Sequence, residues 1–313
     1  MNYFYDKRVL HVDDVNTAVK TRSHAFIEEE ERRYRENVER VAEHLNATMP
    51  GRCLVMLAGP SSAGKTTTAN NLSRALEAKG RQASIVSLDD FYRGHGLAPR
   101  LPDGSYDYES IEALDLPLLK QCMAELLRDG VTMLPRFDFQ TRAPLEERFE
   151  LRIEEHSVVI FEGIHALNPV LEEHLPLDNV YKIFINVMSR IYDDDDAKLL
   201  ARRDLRLCRR MLRDYQFRNS SILNTLDMWR QVVRGEELYM FPYVDTANAT
   251  FDTMHAYEPA MIGPRLLPLL RAIPTDNPYA DTIAHLIDAL SRFEPLAVAD
   301  LPAQSLLREF VGS

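Results

Sequence analysis

An unbroken apolar run from Cys53 to Ala58 leads into Gly59-Pro60-Ser61-Ser62-Ala63-Gly64-Lys65-Thr66, and helical periodicity follows from Thr66 to Lys79. The eight residues fit G-x-x-x-x-G-K-[ST], and the strand-loop-helix setting is the one in which that spacing has a physical meaning. Glycines let the loop wrap with its N–H groups turned inward, and those donors together with a helix N-terminus favour an anion. A loop of this kind cradles the phosphates of a nucleoside triphosphate. The candidate ATP-binding set is therefore Gly59, Ser61, Ser62, Ala63, Gly64, Lys65, Thr66 and Thr67. Lys65 brings a cation to the β and γ oxygens, and the Thr66 hydroxyl can enter the shell of Mg²⁺, a small ion that takes oxygen ligands and shares them with phosphate.

The rest of the chain predicts an α/β core. Further apolar runs lie at 83–88, 157–163 and 179–187, strand-like ATFDTM at 249–254, and helical spacing at 26–45, 115–128, 197–214, 221–234 and 259–271. Such alternation argues for a mostly parallel sheet with helices on both faces. Residues 131–154 read as a hairpin projecting from the sheet around DFQTRAP, and 192–196, YDDDD, as acids capping a helix that starts at Ala197. Residues 1–25 give no clear pattern, with His11, Asp13 and Asp14 taken as a solvated loop. The expected organisation is an N-terminal extension with an amphipathic helix (1–49), a nucleotide-binding domain (50–272) and a helical tail (273–313) that packs either on the core or on a second copy in a homo-oligomer.

Charge and composition narrow the class. Lys and Arg number 37 against 48 Asp and Glu, a net −11, the wrong sign for a protein that neutralises many phosphates along a nucleic acid. No apolar run approaches the roughly 18 residues of a membrane span. The N-terminus lacks the apolar stretch of a secretory signal, so a cytoplasmic protein is expected. Cys53, Cys122 and Cys208 form no C-x-x-C pair, which argues against a disulfide framework or a cysteine-rich zinc site.

Carboxylates at the ends of neighbouring strands are the next candidates, because ligands of open α/β sheets bind there. Asp89 and Asp90 follow the run at 83–88, and Glu162 ends SVVIFEG. One such acid should hold metal and one should meet an acceptor hydroxyl. Nine arginines fall between Arg202 and Arg234, and Arg202, Arg206, Arg209 and Arg213 recur at three or four residues, predicting a helix with one packed face and one face of guanidiniums.

GPSSAGKT, SLDDFY at 87–92 and FEGI at 161–164, in this order, resemble the uridine kinase and phosphoribulokinase family. The similarity continues through PDGSYDYESIEALD, FDFQTR, EGIHALNP and RDLRLCRRMLRDYQFR, over roughly 26–271, and is nearest to a bacterial uridine kinase-like branch. The resemblance implies a three-layer P-loop kinase fold with a mostly parallel sheet, a helical lid and a small β-hairpin insertion. It implies transfer of the γ-phosphoryl of ATP to a small-molecule hydroxyl, with Asp89 as general base, Glu162 and Thr66 holding Mg²⁺, and Lys65, Arg206 and Arg209 taking up charge on the phosphates. Asp107 falls where the family binds ribose hydroxyls, and Tyr92 adjoins the base in the same motif.

Departures from the family bear on the acceptor. Where uridine kinases carry Y-D-F-V-S-H, this chain has Phe137-Asp138-Phe139-Gln140-Thr141-Arg142. A phenol and an imidazole are replaced by a phenyl ring and a guanidinium, so base selection cannot use the same hydrogen bonds. Phe137 stacks on a base or packs, and Arg142 meets the acceptor or stays at the surface; both pairs of readings remain open. A nucleoside 5′-hydroxyl is the expected acceptor. The alternatives are a sugar phosphate or pantothenate, or an ATP-binding regulator that does not turn the nucleotide over.

Overall fold

The computed structural model describes residues 2–3, 8–297 and 301–312. In chain order the principal elements are β1 (Asn2–Tyr3), β2 (Val9–His11), α1 (Val12–Thr48), β3 (Cys53–Ala58), α2 (Lys65–Glu77), β4 (Ala83–Ser87) and α3 (Leu116–Arg128). Then follow β5 (Val131–Leu134), β6 (Phe137–Asp138), β7 (Ala143–Pro144), β8 (Phe149–Arg152), β9 (Val158–Glu162), β10 (Val180–Asn186), β11 (Arg190–Tyr192) and β12 (Lys198–Leu200). The remainder is α4 (Arg202–Phe217), α5 (Ile222–Tyr239), β13 (Ala249–Asp252), α6 (Glu258–Arg271), α7 (Ala280–Ser291) and α8 (Arg308–Val311).

Six strands form one parallel sheet in the order β1-β13-β10-β3-β9-β4. Alternation along β3 divides the core. Val55 and Leu57 point into the layer holding Val38, Val41 and Leu45 of α1 and Leu72 and Leu76 of α2. Leu54, Met56 and Ala58 point the other way, against Leu119, Met123 and Leu126 of α3. A strand covered on both faces has no reason to alternate in polarity, which is why β3, β9 and β10 are apolar throughout. The α/β fold expected from the sequence is thus the one observed. Strands β5 and β8 pair antiparallel, as do β6 and β7, and together they make the hairpin insertion.

Three expectations need correction. Helical structure does not begin at Phe26: α1 starts at Val12, with one non-helical residue, Arg22, along its length. Asp13 and Asp14 therefore stand in its first turn, where carboxylates complement the macrodipole, and not in a loop. The acids at 193–196 do not cap a helix. They turn the chain between β11 and β12, with Asp193 accepting hydrogen bonds from the amides of Asp195 and Ala197, and α4 begins only at Arg202, where Asp204 accepts from the Ala201 amide at 2.7 Å.

The third correction concerns α4 itself. Its arginines do not form the expected free face closing over the phosphates, because Arg206, Arg209 and Arg210 are buried together with Leu205, Leu207, Cys208, Met211 and Leu212. Residues near the C-terminus join the same core as α1 and α2: Leu306, Leu307, Phe310 and Val311 are fully enclosed. The expected boundaries at 49 and 273 include residues 1, 4–7, 298–300 and 313, which lie outside the described residues.

Candidate active site

The loop 59–64 leaves the end of β3 and feeds α2, so its position follows from the apolar run before it and the helix after it. Ser62 and Gly64 both take positive φ, 58° and 88°. Gly64 is required twice over, since a Cβ there would stand 2.6 Å from Leu306 as well as in the left-handed region. On the neighbouring strands, Leu57 of β3 and Ser87 of β4 both pair with Glu162 of β9, which sets that carboxylate at the sheet edge beside the loop. Thr66 Oγ1 and Ser87 Oγ lie 3.4 and 3.3 Å from Glu162 Oε1.

One cleft is lined by Ser61, Ser62, Gly64, Lys65, Thr66, Asp89, Tyr92 and Glu162. Five of the eight nucleotide-loop residues expected from sequence and both carboxylates therefore open on common space, whereas Gly59, Ala63 and Thr67 do not line it, Ala63 being fully buried and Thr67 bonded to Glu309. Asp89 faces the cleft from the turn after β4, where the Ser87 hydroxyl accepts its amide. Although Asp89 keeps solvent-exposed surface, desolvation in the cleft and the neighbouring Asp90 push its carboxyl upward, while Lys65 and Arg218 oppose the rise. Glu162 is raised too, by burial first, with Lys65 again working against it. Asp90 is a brace: its carboxylate accepts the Phe137 amide at 3.1 Å and ties the hairpin to β4.

The donor set fits the cation that the fold implies. Thr66 and Glu162 offer one hydroxyl and one carboxylate beside the phosphate loop, the hard oxygen ligands Mg²⁺ takes together with substrate phosphate.

Arg206 and Arg209 do not reach into the cleft. Arg206 is bidentate to Glu236, at 2.7 and 2.9 Å, and donates to the Ser61 carbonyl at 3.1 Å. Arg209, with no exposed surface, is bidentate to Glu258 at 2.5 and 2.7 Å and donates to the Ser62 carbonyl at 3.3 Å. Glu236 also accepts the Ser61 amide at 2.8 Å. Both arginines are thus buried braces that hold the phosphate loop from behind. The guanidiniums that do line the cleft are Arg210, Arg213 and Arg218. They gather around the buried Asp214, and Arg210 donates to Ser61 Oγ at 2.6 Å.

On the acceptor side the sequence-derived residues separate. Tyr92 lines the cleft and its ring lies 5.7 Å from that of Phe137. Asp107 is buried behind the wall, accepting from the Tyr239 hydroxyl at 2.7 Å with Arg234 at 3.5 Å. Arg142 is an exposed residue with positive φ at the tip of β6–β7, and its carbonyl, not its guanidinium, is engaged, by the His95 amide.

Three cleft residues had no sequence signal strong enough to single them out: Glu109, Glu236 and Glu309. Glu309 comes from α8 and accepts the Thr67 hydroxyl at 2.6 Å, bringing the end of the described chain onto the first turn of α2. For Glu109 a hint exists in Gly235, a glycine inside an otherwise regular helix whose missing Cβ leaves room for the Glu109 side chain. For Glu309 there is none.

Comparison with known proteins agrees with this geometry. Residues 54–258 match the family described as the Phosphoribulokinase / Uridine kinase family. A uridine kinase of Mycoplasma genitalium is 30% identical over 182 residues, 58% of this chain and 75% of the relative. A uridine-cytidine kinase B of Dictyostelium discoideum is 28% identical over 183 residues, covering 58% and 66%. Among solved structures, that of a fructose transport system kinase from Silicibacter aligns with a TM-score of 0.50 at 20% identity, covering 68% of this chain and 98% of that one, a likeness of fold. Sequence match and site geometry converge, and the chain belongs to the phosphoribulokinase/uridine kinase family.

Proposed function

We propose that this protein is a cytoplasmic ATP-dependent kinase that transfers the γ-phosphoryl group to a hydroxyl of a small molecule, the 5′-hydroxyl of a nucleoside. The observation that carries the reading is the opening of Lys65, Thr66, Glu162 and Asp89 onto one cleft. Phosphoryl transfer has a loose transition state, so positioning and charge neutralisation do most of the catalysis. Loop amides and Lys65 hold the β- and γ-phosphates. Thr66 and Glu162 would hold Mg²⁺, which would supply positive charge against the charge developing on the phosphates. Asp89 orients the acceptor hydroxyl and accepts its proton as the acceptor oxygen bonds to the γ-phosphorus and the bond to the β–γ bridging oxygen breaks, releasing ADP. Its raised carboxyl suits it to take that proton. Tyr92 and Phe137 offer ring surface to a nucleobase.

Asp89→Asn tests the assignment. The variant should bind ATP with unchanged affinity and lose transfer by about 10²–10⁴-fold. Turnover close to wild type would remove Asp89 from the role of base.

A further inference from the structure

Gly235 lies inside α5, where glycine weakens a helix by adding backbone freedom without a side chain to pack. Its neighbour explains it. A Cβ at Gly235 would stand 2.4 Å from Glu109 Cβ and 2.8 Å from Glu109 Cγ, so only glycine lets that side chain lie against the helix.

The chain on either side of Glu109 is pinned. Asp107 is held by the Tyr239 hydroxyl, the Tyr108 carbonyl accepts from the Tyr92 hydroxyl at 3.1 Å, and Ser110 caps the short turn that follows. Glu109 therefore presents a half-buried carboxyl to the cleft, on the same wall as Asp89 and Tyr92. Burial raises that carboxyl most; Arg210 pulls it down, and Glu236, Asp89 and Asp107 raise it further, to about 7. Near neutral pH such a group both donates and accepts hydrogen bonds, which suits it to hydroxyls.

The cleft lining is acidic on balance. Five carboxylates, Asp89, Glu109, Glu162, Glu236 and Glu309, face four cations, Lys65, Arg210, Arg213 and Arg218. Arg210 is tied to Ser61 of the phosphate loop, and Arg213 and Arg218 share Asp214 with it, while Asp107 adds a further carboxylate behind the wall that carries Glu109.

We propose that Glu109 is an acceptor-binding residue, seated by Gly235, that hydrogen-bonds the hydroxyls of an uncharged polyhydroxylated acceptor and disfavours acceptors that already carry phosphate. This rests on the kinase reading and narrows its substrate class: a neutral nucleoside is selected over a sugar phosphate by electrostatics at the wall, independently of which base is read.

The test compares wild type, Glu109→Ala, Glu109→Gln and Gly235→Ala. The acceptors are uridine, cytidine, adenosine, inosine and guanosine on one side and ribulose 5-phosphate on the other, with MgATP affinity measured separately by a fluorescent ATP analogue. Wild type should prefer its best nucleoside to ribulose 5-phosphate. Glu109→Ala and Gly235→Ala should raise the KM for that nucleoside tenfold or more while MgATP affinity stays within twofold. Glu109→Gln, which keeps hydrogen-bonding capacity and removes the charge, should recover part of the KM and narrow the preference against the phosphorylated acceptor at least fivefold. An acceptor KM within twofold of wild type in both Glu109 variants overturns the proposal, as does a wild type that favours ribulose 5-phosphate; in that last case the kinase reading survives. A wild type that binds MgATP and phosphorylates none of these compounds removes the nucleoside reading, and the proposal with it.

Discussion

The donor wall of the cleft is a backbone loop clamped from behind by two buried arginine–glutamate pairs, Arg206–Glu236 and Arg209–Glu258. The wall proposed to meet the acceptor carries Tyr92 and Glu109 of the excursion 92–110, and the hairpin at 137–144 packs beside it through the Tyr92–Phe137 ring contact and the Phe137 amide bonded to Asp90. Phosphates look alike in every nucleotide, so a rigid loop of amides serves them all. An acceptor is recognised by its particular hydroxyls and rings, so that wall consists of side chains brought from separate parts of the sequence. On the proposed reading, a braced loop serves the donor and separate side chains serve the acceptor.

Substitutions on the two walls should therefore differ in kind. The largest effect is expected from Glu258→Gln, which leaves the fully buried Arg209 without its charge partner. Breaking such a pair by removing one member costs about 3–5 kcal/mol, measurable by urea unfolding. A loss under about 1 kcal/mol would show that the donor wall is not held this way.

Next in size is the pH dependence of transfer, since Asp89 stands where the two walls meet. Its carboxyl is raised, so the ionised base is present above that raised value and is lost as pH falls through it. The acid limb of kcat/KM should thus lie above the ordinary aspartate range, near pH 3.8, and fall about tenfold per pH unit below its midpoint. Asp89→Asn should abolish that limb.

Phe137→Ala removes a ring packed on Tyr92 and is expected to raise the acceptor KM about fivefold, the scale of an aromatic contact of about 1 kcal/mol, with MgATP affinity unchanged. The smallest effect belongs to Arg142→Ala. Its guanidinium is exposed and engages nothing within the described residues, so both KM values should stay within about twofold of wild type, as for ordinary surface changes. A large rise in acceptor KM there would mean that the hairpin closes over the substrate.

How much of this was legible in the sequence follows the same division. The phosphate loop could be read because its chemistry resides in consecutive residues, and β3, β9 and β10 because a doubly covered strand is apolar throughout. Asp89 and Glu162 could be placed because strand ends dictate where their side chains emerge. The role of α4 could not. Arg206 and Arg209 have the spacing of a guanidinium face free to meet phosphates, and the carboxylates that engage them instead lie 30 and 49 residues away. Helical periodicity records which residues share a face, not whether another charged element covers it. Glu309 meets Thr67 across 242 residues, and no local pattern announces such a contact. Glu109 was marked only indirectly, through a glycine inside α5 that helix propensity disfavours.

The central claim is phosphoryl transfer from ATP to a nucleoside hydroxyl, and the most direct measurement is product analysis by mass after incubation with MgATP and a panel of nucleosides, ribulose 5-phosphate and pantothenate. The expected result is a nucleoside 5′-monophosphate formed in equal amount with ADP. ATP bound in the cleft, with no phosphorylated product from any acceptor in the panel, would contradict it.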